Sequence, residues 1–207
     1  GHAPVLIFED ADIETAAQAC AASKFRNAGQ VCASPSRFFA HESIADEFAA
    51  AFARHAGALK VGSGLDPATQ MGPLSNLRRL EAAEGLIEDA VSHGAEVLTG
   101  GGRLSEFERG YFFAPTVLAG ADSSMRIMND EPFAPVAPIS TFQTLDEALE
   151  LANRTEYGLA SYLFTGSLQT AFLASEGIEA GMVGVNSMLI ATAEAPFGGV
   201  KQSGFGR

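Results

Sequence analysis

Short apolar runs with strand character alternate with helical stretches of about ten residues or more along nearly the whole chain. This rhythm narrows the fold more than any other feature. "PVLIF" (4–8) reads as a buried strand and "DIETAAQACAASKFRN" (12–27) as the helix after it. "SRFFAH" (36–41) and a helix over 44–59 repeat the pattern. A strand, a crossover helix and a second strand make a parallel pair. Successive units of this kind predict an α/β fold, a mainly parallel sheet with helices on both faces.

The second half of the chain continues the alternation. The amphipathic helix "LRRLEAAEGLIEDAVSHG" (77–94) leads to a strand "EVLTG" (96–100) and a glycine turn. "YFFAPTVLAG" (111–120) and "APVAPISTF" (134–142) read as strands, and their prolines predict breaks or edge positions. Helix 145–154, strand 160–166, helix 168–177 and strand 181–187 complete the series. Asp12 and Glu14 open the first helix and Lys24 and Arg26 close it, as the helix dipole favours, with Gly29 as its left-handed cap. The loop "VGSGLDPATQMGPLSN" (61–76) is long enough to expect packing or function of its own, and the alternation runs through it. Residues 1–207 are therefore read as one domain.

Composition excludes several function classes. A net charge of -12 opposes binding to nucleic acid or to an anionic membrane surface. No apolar run approaches the ~20 residues of a membrane span, and "GHAPVLIFEDAD" lacks the basic start of a secretory signal. Two cysteines without CxxC spacing fit a reducing compartment, so a cytoplasmic location is expected. His2, His41, His55 and His93 show no metal-ligand spacing. "GSGLDP" and "TGGGR" match no phosphate-binding loop.

The chemistry centres on "KFRNAGQVCASPSRFF" (24–39). Cys32 lies past the first helix among Ala28, Gly29, Ala33 and Ser34, where small neighbours let a substrate approach. Cys20 lies inside the helix among alanines and reads as a buried, inert thiol. From these residues alone Cys32 is either a nucleophile or a small apolar residue in a turn.

Three motifs carry a resemblance. "FRNAGQVC" (25–32) resembles the active-site cysteine motif of the NAD(P)-dependent aldehyde dehydrogenases. "NDEPFAPVAPI" (129–139) is similar to their E-x-F-G-P-V segment, and "PFGGVKQSGFGR" (196–207) to the motif that closes their catalytic domain. The resemblance covers essentially the whole chain and looks closest to the succinate-semialdehyde dehydrogenases. It implies an oxidoreductase in which Cys32 adds to an aldehyde, hydride leaves for NAD or NADP, and water releases the acid from a thioester. The Cys32 N–H is the oxyanion donor available in this segment.

The same resemblance assigns the other site residues. Glu131 would hold the hydroxyls of the nicotinamide ribose and Phe133 would pack at the same end of the cofactor. Phe197 would line the substrate tunnel, and Asn186 matches a family position near the site, although the residue itself reads first as a turn-forming asparagine. Arg26 stands where the succinate-semialdehyde branch has an arginine for the substrate's distal carboxylate, a task that suits a guanidinium. In the loop before "PFGG", Thr192 would donate a supporting hydrogen bond where that branch often has serine. Ser34 replaces the second cysteine that can serve that branch as a redox partner.

The resemblance also implies a cofactor-binding domain, the general-base glutamate and an oxyanion asparagine upstream of residue 1. It implies an oligomerisation strand after residue 207 and a homo-oligomeric full-length enzyme acting on a small aldehyde. On this reading the isolated 207 residues bind NAD or NADP weakly and do not turn over aldehydes. A competing reading is a stand-alone cysteine hydrolase or acyltransferase with His41 as the base.

Overall fold

The computed structural model describes residues 1–206. In chain order the strands are β1 (Ala3–Ile7), β2 (Pro35–His41), β3 (Glu96–Thr99), β4 (Thr116–Ala119), β5 (Val136–Phe142), β6 (Tyr157–Gly158), β7 (Ala160–Phe164), β8 (Met182–Val185) and β9 (Val200–Lys201). The helices are α1 (Ile13–Lys24), α2 (Ala45–Gly57), α3 (Leu77–Ser92), α4 (Leu145–Asn153) and α5 (Leu168–Gly177). The main sheet runs β3-β4-β5-β2-β1-β7-β8, and β6 pairs with β9 in a separate antiparallel ribbon. Every neighbouring pair of the main sheet is parallel except β3 with β4, so the expected α/β sheet holds with one antiparallel edge.

Local chemistry sets the helix starts. Asp12, Asn76, Thr144 and Ser167 each accept a hydrogen bond from the backbone N–H three residues on, satisfying a donor that the helix itself leaves unpaired. At α4, the Glu147 carboxylate also reaches back to the N–H of Gln143.

Adjacent residues of β2 show that both sheet faces are covered. Phe38 packs its ring on Phe52 of α2, with centroids 4.8 Å apart. Arg37, pointing to the opposite face by the pleat of the strand, donates to the carbonyls of Leu151 and Ala152 at the end of α4 and to that of His2. The guanidinium is buried, and burial lowers its pKa to about 10, so it stays charged at neutral pH. Its three acceptors include carbonyls that the end of a helix leaves without partners.

The prolines divide between an expected break and a strand interior. The segment 111–120 is extended in β4 only from Thr116. Pro138, by contrast, sits within a central strand rather than at an edge. Its neighbours explain this, because β5 pairs with β4 through residues 136–138 and with β2 from Ile139 onward. Pro138 occupies the handover, where a missing donor costs little. The first helix also ends earlier than its sequence pattern, at Lys24, and Asn27 and Ala28 join Gly29 in left-handed conformation with φ of 51°, 55° and 73°.

Arg37→Leu, which keeps bulk but strips three buried carbonyls of their donor, is expected to lower stability by about 3 kcal/mol. Urea unfolding of the two proteins, compared at the midpoint with the slope held, checks this.

Candidate active site

The chain that carries Cys32 is held from several sides. After α1 it makes the left-handed turn through residues 27–29, and a Cβ on Gly29 would overlap the Ala134 carbonyl. Only glycine combines that φ with that approach. Gln30 then braces the turn. Its side chain donates to the Asn27 carbonyl at 2.9 Å and accepts from the Ser75 N–H at 2.9 Å, tying the turn to the long 61–76 loop. That loop is therefore packed against the site. A second turn follows, closed by Ser34 N–H on the Val31 carbonyl at 3.0 Å, and runs into β2 at Pro35.

Cys32 stands on this second turn with its residue exposed, whereas Cys20 is wholly buried and burial pushes its thiol pKa up. The Cys32 N–H donates to none of the described residues. From β7, the Tyr162 hydroxyl donates to the Ala33 carbonyl at 2.7 Å and fixes the turn beside the thiol. Burial raises the pKa of that phenol, which keeps it a donor.

The turn divides two recesses, and Val31 and Ser34 line both. On one side lies a cavity of about 540 Å³ with Arg26, Ser23, Tyr162 and Ser187 on its wall and Leu189 and Ile190 closing it. Arg26 is exposed there and forms no ion pair among the described residues. On the other side lies a narrow cleft bounded by Gly29, Lys24, Glu131 and Phe133. Glu131 is partly buried and accepts from the Gly1 nitrogen at 2.6 Å. Phe133 holds a φ of 42°, a conformation costly for a bulky residue and frequent at functional sites.

The structure thus brings Arg26, Cys32, Glu131 and Phe133 around one turn. It does not bring Thr192 there. Thr192 lines an adjoining groove that shares Ser187, Leu189 and Ile190 with the Arg26 cavity, and the hydroxyls on the wall of that cavity belong to Ser23, Ser34, Tyr162 and Ser187. Phe197 is 49% exposed and lines neither recess. Asn186 is a turn residue, with φ of 51° and its side-chain amide bonded both ways to the Thr165 backbone. Sequence reasoning missed Tyr162, Gln30 and Ser187. Tyr162 carried no signal beyond its place in a strand, and Gln30 could have been found only as part of the 25–32 motif.

His41 does not serve Cys32. It ends β2 while Cys32 precedes the start, a separation of roughly 20 Å along the strand. Its ring is engaged by Ser43 and by the Gln143 carbonyl. The hydrolase reading loses its base.

Residues 1–207 match the aldehyde dehydrogenase family along their full extent. The chain belongs to that family. It is 46% identical to the succinate-semialdehyde dehydrogenase of Paenarthrobacter nicotinovorans, covering 100% of this chain and 46% of that protein. It is 41% identical to the NADP(+) succinate-semialdehyde dehydrogenase of Saccharomyces cerevisiae, covering 100% of this chain and 41% of the relative. Among solved structures, succinate-semialdehyde dehydrogenase from Burkholderia pseudomallei superposes with a TM-score of 0.97 at 43% identity, over 100% of this chain and 42% of that one. The chain spans less than half the length of these aldehyde dehydrogenases. No described helix is long and apolar enough to cross a membrane.

Iodoacetamide applied to the native protein is expected to label Cys32 and to leave Cys20 unmodified until the protein is unfolded. Peptide mass mapping reads the difference, and equal labelling of both thiols would contradict the exposed turn.

Proposed function

We propose that residues 1–207 are the thiol-bearing catalytic domain of an NAD(P)-dependent aldehyde dehydrogenase that oxidises a semialdehyde, such as succinic semialdehyde, to the carboxylic acid. The observation that carries this reading is the placement of an exposed cysteine on a turn between an arginine-bearing cavity and a cleft holding Glu131 and Phe133.

Cys32 Sγ, as thiolate, attacks the aldehyde carbon and forms a C–S bond while the carbonyl π pair moves onto oxygen. The unpaired Cys32 N–H is the donor available to that oxyanion. When bound, a nicotinamide supplies the acceptor for the hydride that leaves the same carbon, oxidising it by two electrons. Collapse to a thioester, attack by water and departure of the Cys32 thiolate give the acid and restore the nucleophile. Tyr162 holds the turn, and with it the thiol, in place through Ala33.

The residues present fit the nicotinamide end of a dinucleotide. The Glu131 carboxylate accepts hydrogen bonds, as two adjacent ribose hydroxyls require, and the Phe133 ring borders the same cleft. NAD and NADP share this end, so the proposal covers both. In the Arg26 cavity the guanidinium takes the distal carboxylate of the substrate, with Ser187 on the same wall and Thr192 in the adjoining groove to assist. Relatives of the succinate-semialdehyde branch support the choice of an acidic aldehyde.

The test follows nicotinamide reduction by the full-length protein with succinic semialdehyde and with an uncharged aldehyde of similar length. Cys32→Ala is expected to abolish both reactions. Arg26→Ala is expected to lose about 50-fold in kcat/KM on the acid alone, the worth of a charged hydrogen bond. An Arg26→Ala protein that treats both aldehydes as wild type does would remove the carboxylate assignment.

A further inference from the structure

Lys24 has no part in the chemistry above, yet its burial demands an account. It closes α1, is 0% exposed, and its Nζ has no hydrogen-bond partner among the described residues. A buried, unpaired ammonium costs stability, and such groups concentrate at functional sites. Arg37, the other buried cation nearby, is fully committed to three carbonyls. Lys24 is left unbonded at the wall of the narrow cleft that Glu131 and Phe133 border.

The groups around it leave one counter-charge. Just before β1 the Gly1 nitrogen borders the same cleft and donates to Glu131 at 2.6 Å, His2 lies within reach of the Lys24 charge, and from β2 comes Ser36. His2 is held neutral, because burial and then the nearby cations Arg37 and Lys24 push its pKa well below the usual range, and its Nδ1 is bonded to Ser36 Oγ at 2.9 Å. The Cys32 turn contributes only Ser34 and the Val31 side chain. Among the described residues Glu131 is the anion whose charge acts on Lys24, through space and without a direct hydrogen bond.

We infer that Lys24 is a positioning residue whose ammonium, from beneath the cleft, holds the Glu131 carboxylate in place to receive the nicotinamide ribose. The inference rests on the reading of Glu131 as the ribose acceptor. It adds a pH dependence to cofactor binding. Burial lowers the Lys24 pKa to about 7, against a partly restoring pull from Glu131, so the hold is present below about pH 7 and released above it. Stability follows the opposite course. The buried charge is paid in full below about pH 7, and from there toward the ordinary lysine range the unfolded chain binds a proton that the folded one lacks, so Lys24 costs less as pH rises.

The experiment titrates the full-length protein with NADH, read by nicotinamide fluorescence, from pH 6 to 9 in wild type, Lys24→Met and Glu131→Gln, alongside thermal unfolding. Wild type is expected to bind about tenfold more weakly above pH 8 than at pH 6. Lys24→Met is expected to bind about tenfold more weakly than wild type at pH 6 with that step gone. It should also melt higher than wild type at pH 6, with the gap closing toward pH 9. Glu131→Gln is expected to lose both affinity and the step, which keeps the inference testable if Lys24→Met does not fold. Wild-type affinity in Lys24→Met, with Glu131→Gln impaired, overturns the role of Lys24 alone. Wild-type affinity in Glu131→Gln overturns the reading of Glu131 and the inference with it.

Discussion

The site depends on how closely two backbone segments meet. Gly29, in left-handed conformation, lies against the Ala134 carbonyl where no Cβ has room. That approach joins the turn carrying Cys32 to the segment carrying Glu131 and Phe133, although roughly a hundred residues separate them in the chain. Asn27 and Ala28 share the left-handed conformation, an unfavourable choice for an alanine that the surrounding contacts must enforce. The bonds from Gln30 to Asn27 and Ser75 and from Tyr162 to Ala33 supply that enforcement. A turn held this way keeps the Cys32 thiol in one position, which is the preorganisation that the proposed nucleophile requires.

The two buried cations of β2 and α1 illustrate opposite uses of charge. Arg37 sits where the end of α4 leaves carbonyls unpaired, and its planar fork satisfies them together with the His2 carbonyl. That charge is structural. Lys24 has no such acceptors among the described residues, and its electrostatic counterpart there, Glu131, borders the same cleft. The fold gains order from the first and loses stability to the second, a pattern expected when a local rule is broken at a functional site.

Much of the architecture was legible because a parallel α/β sheet repeats a strong local signal. Strands buried on both faces read as continuous apolar runs, and helices between them announce their starts with Asp12, Asn76, Thr144 and Ser167. Pro138 misled because proline reports a missing donor, and the sequence does not say which neighbour would have needed it. The ladder changes partner at that residue, so nothing did. The antiparallel edge strand β3 was equally hidden, since four residues of strand pattern carry no direction.

The site divides in the same way. The sequence by itself told the two thiols apart, because Cys32 follows a helix end among small residues while Cys20 lies among alanines inside the helix, and the structure exposes the first and buries the second. The sequence also determined the family through three motifs whose residue types are demanding. Only the tertiary structure decided which residues share a recess. Turns and loops are positioned by contacts between segments distant in the chain, so Ser187 joins Arg26 in one cavity while Thr192 lines the groove adjoining it, and Tyr162 reaches Ala33 from another strand. The solitary burial of Lys24 was likewise invisible in the sequence. A lysine in a helix's last turn is ordinarily solvated, and only packing against β1, β2 and the Glu131 segment removes it from water.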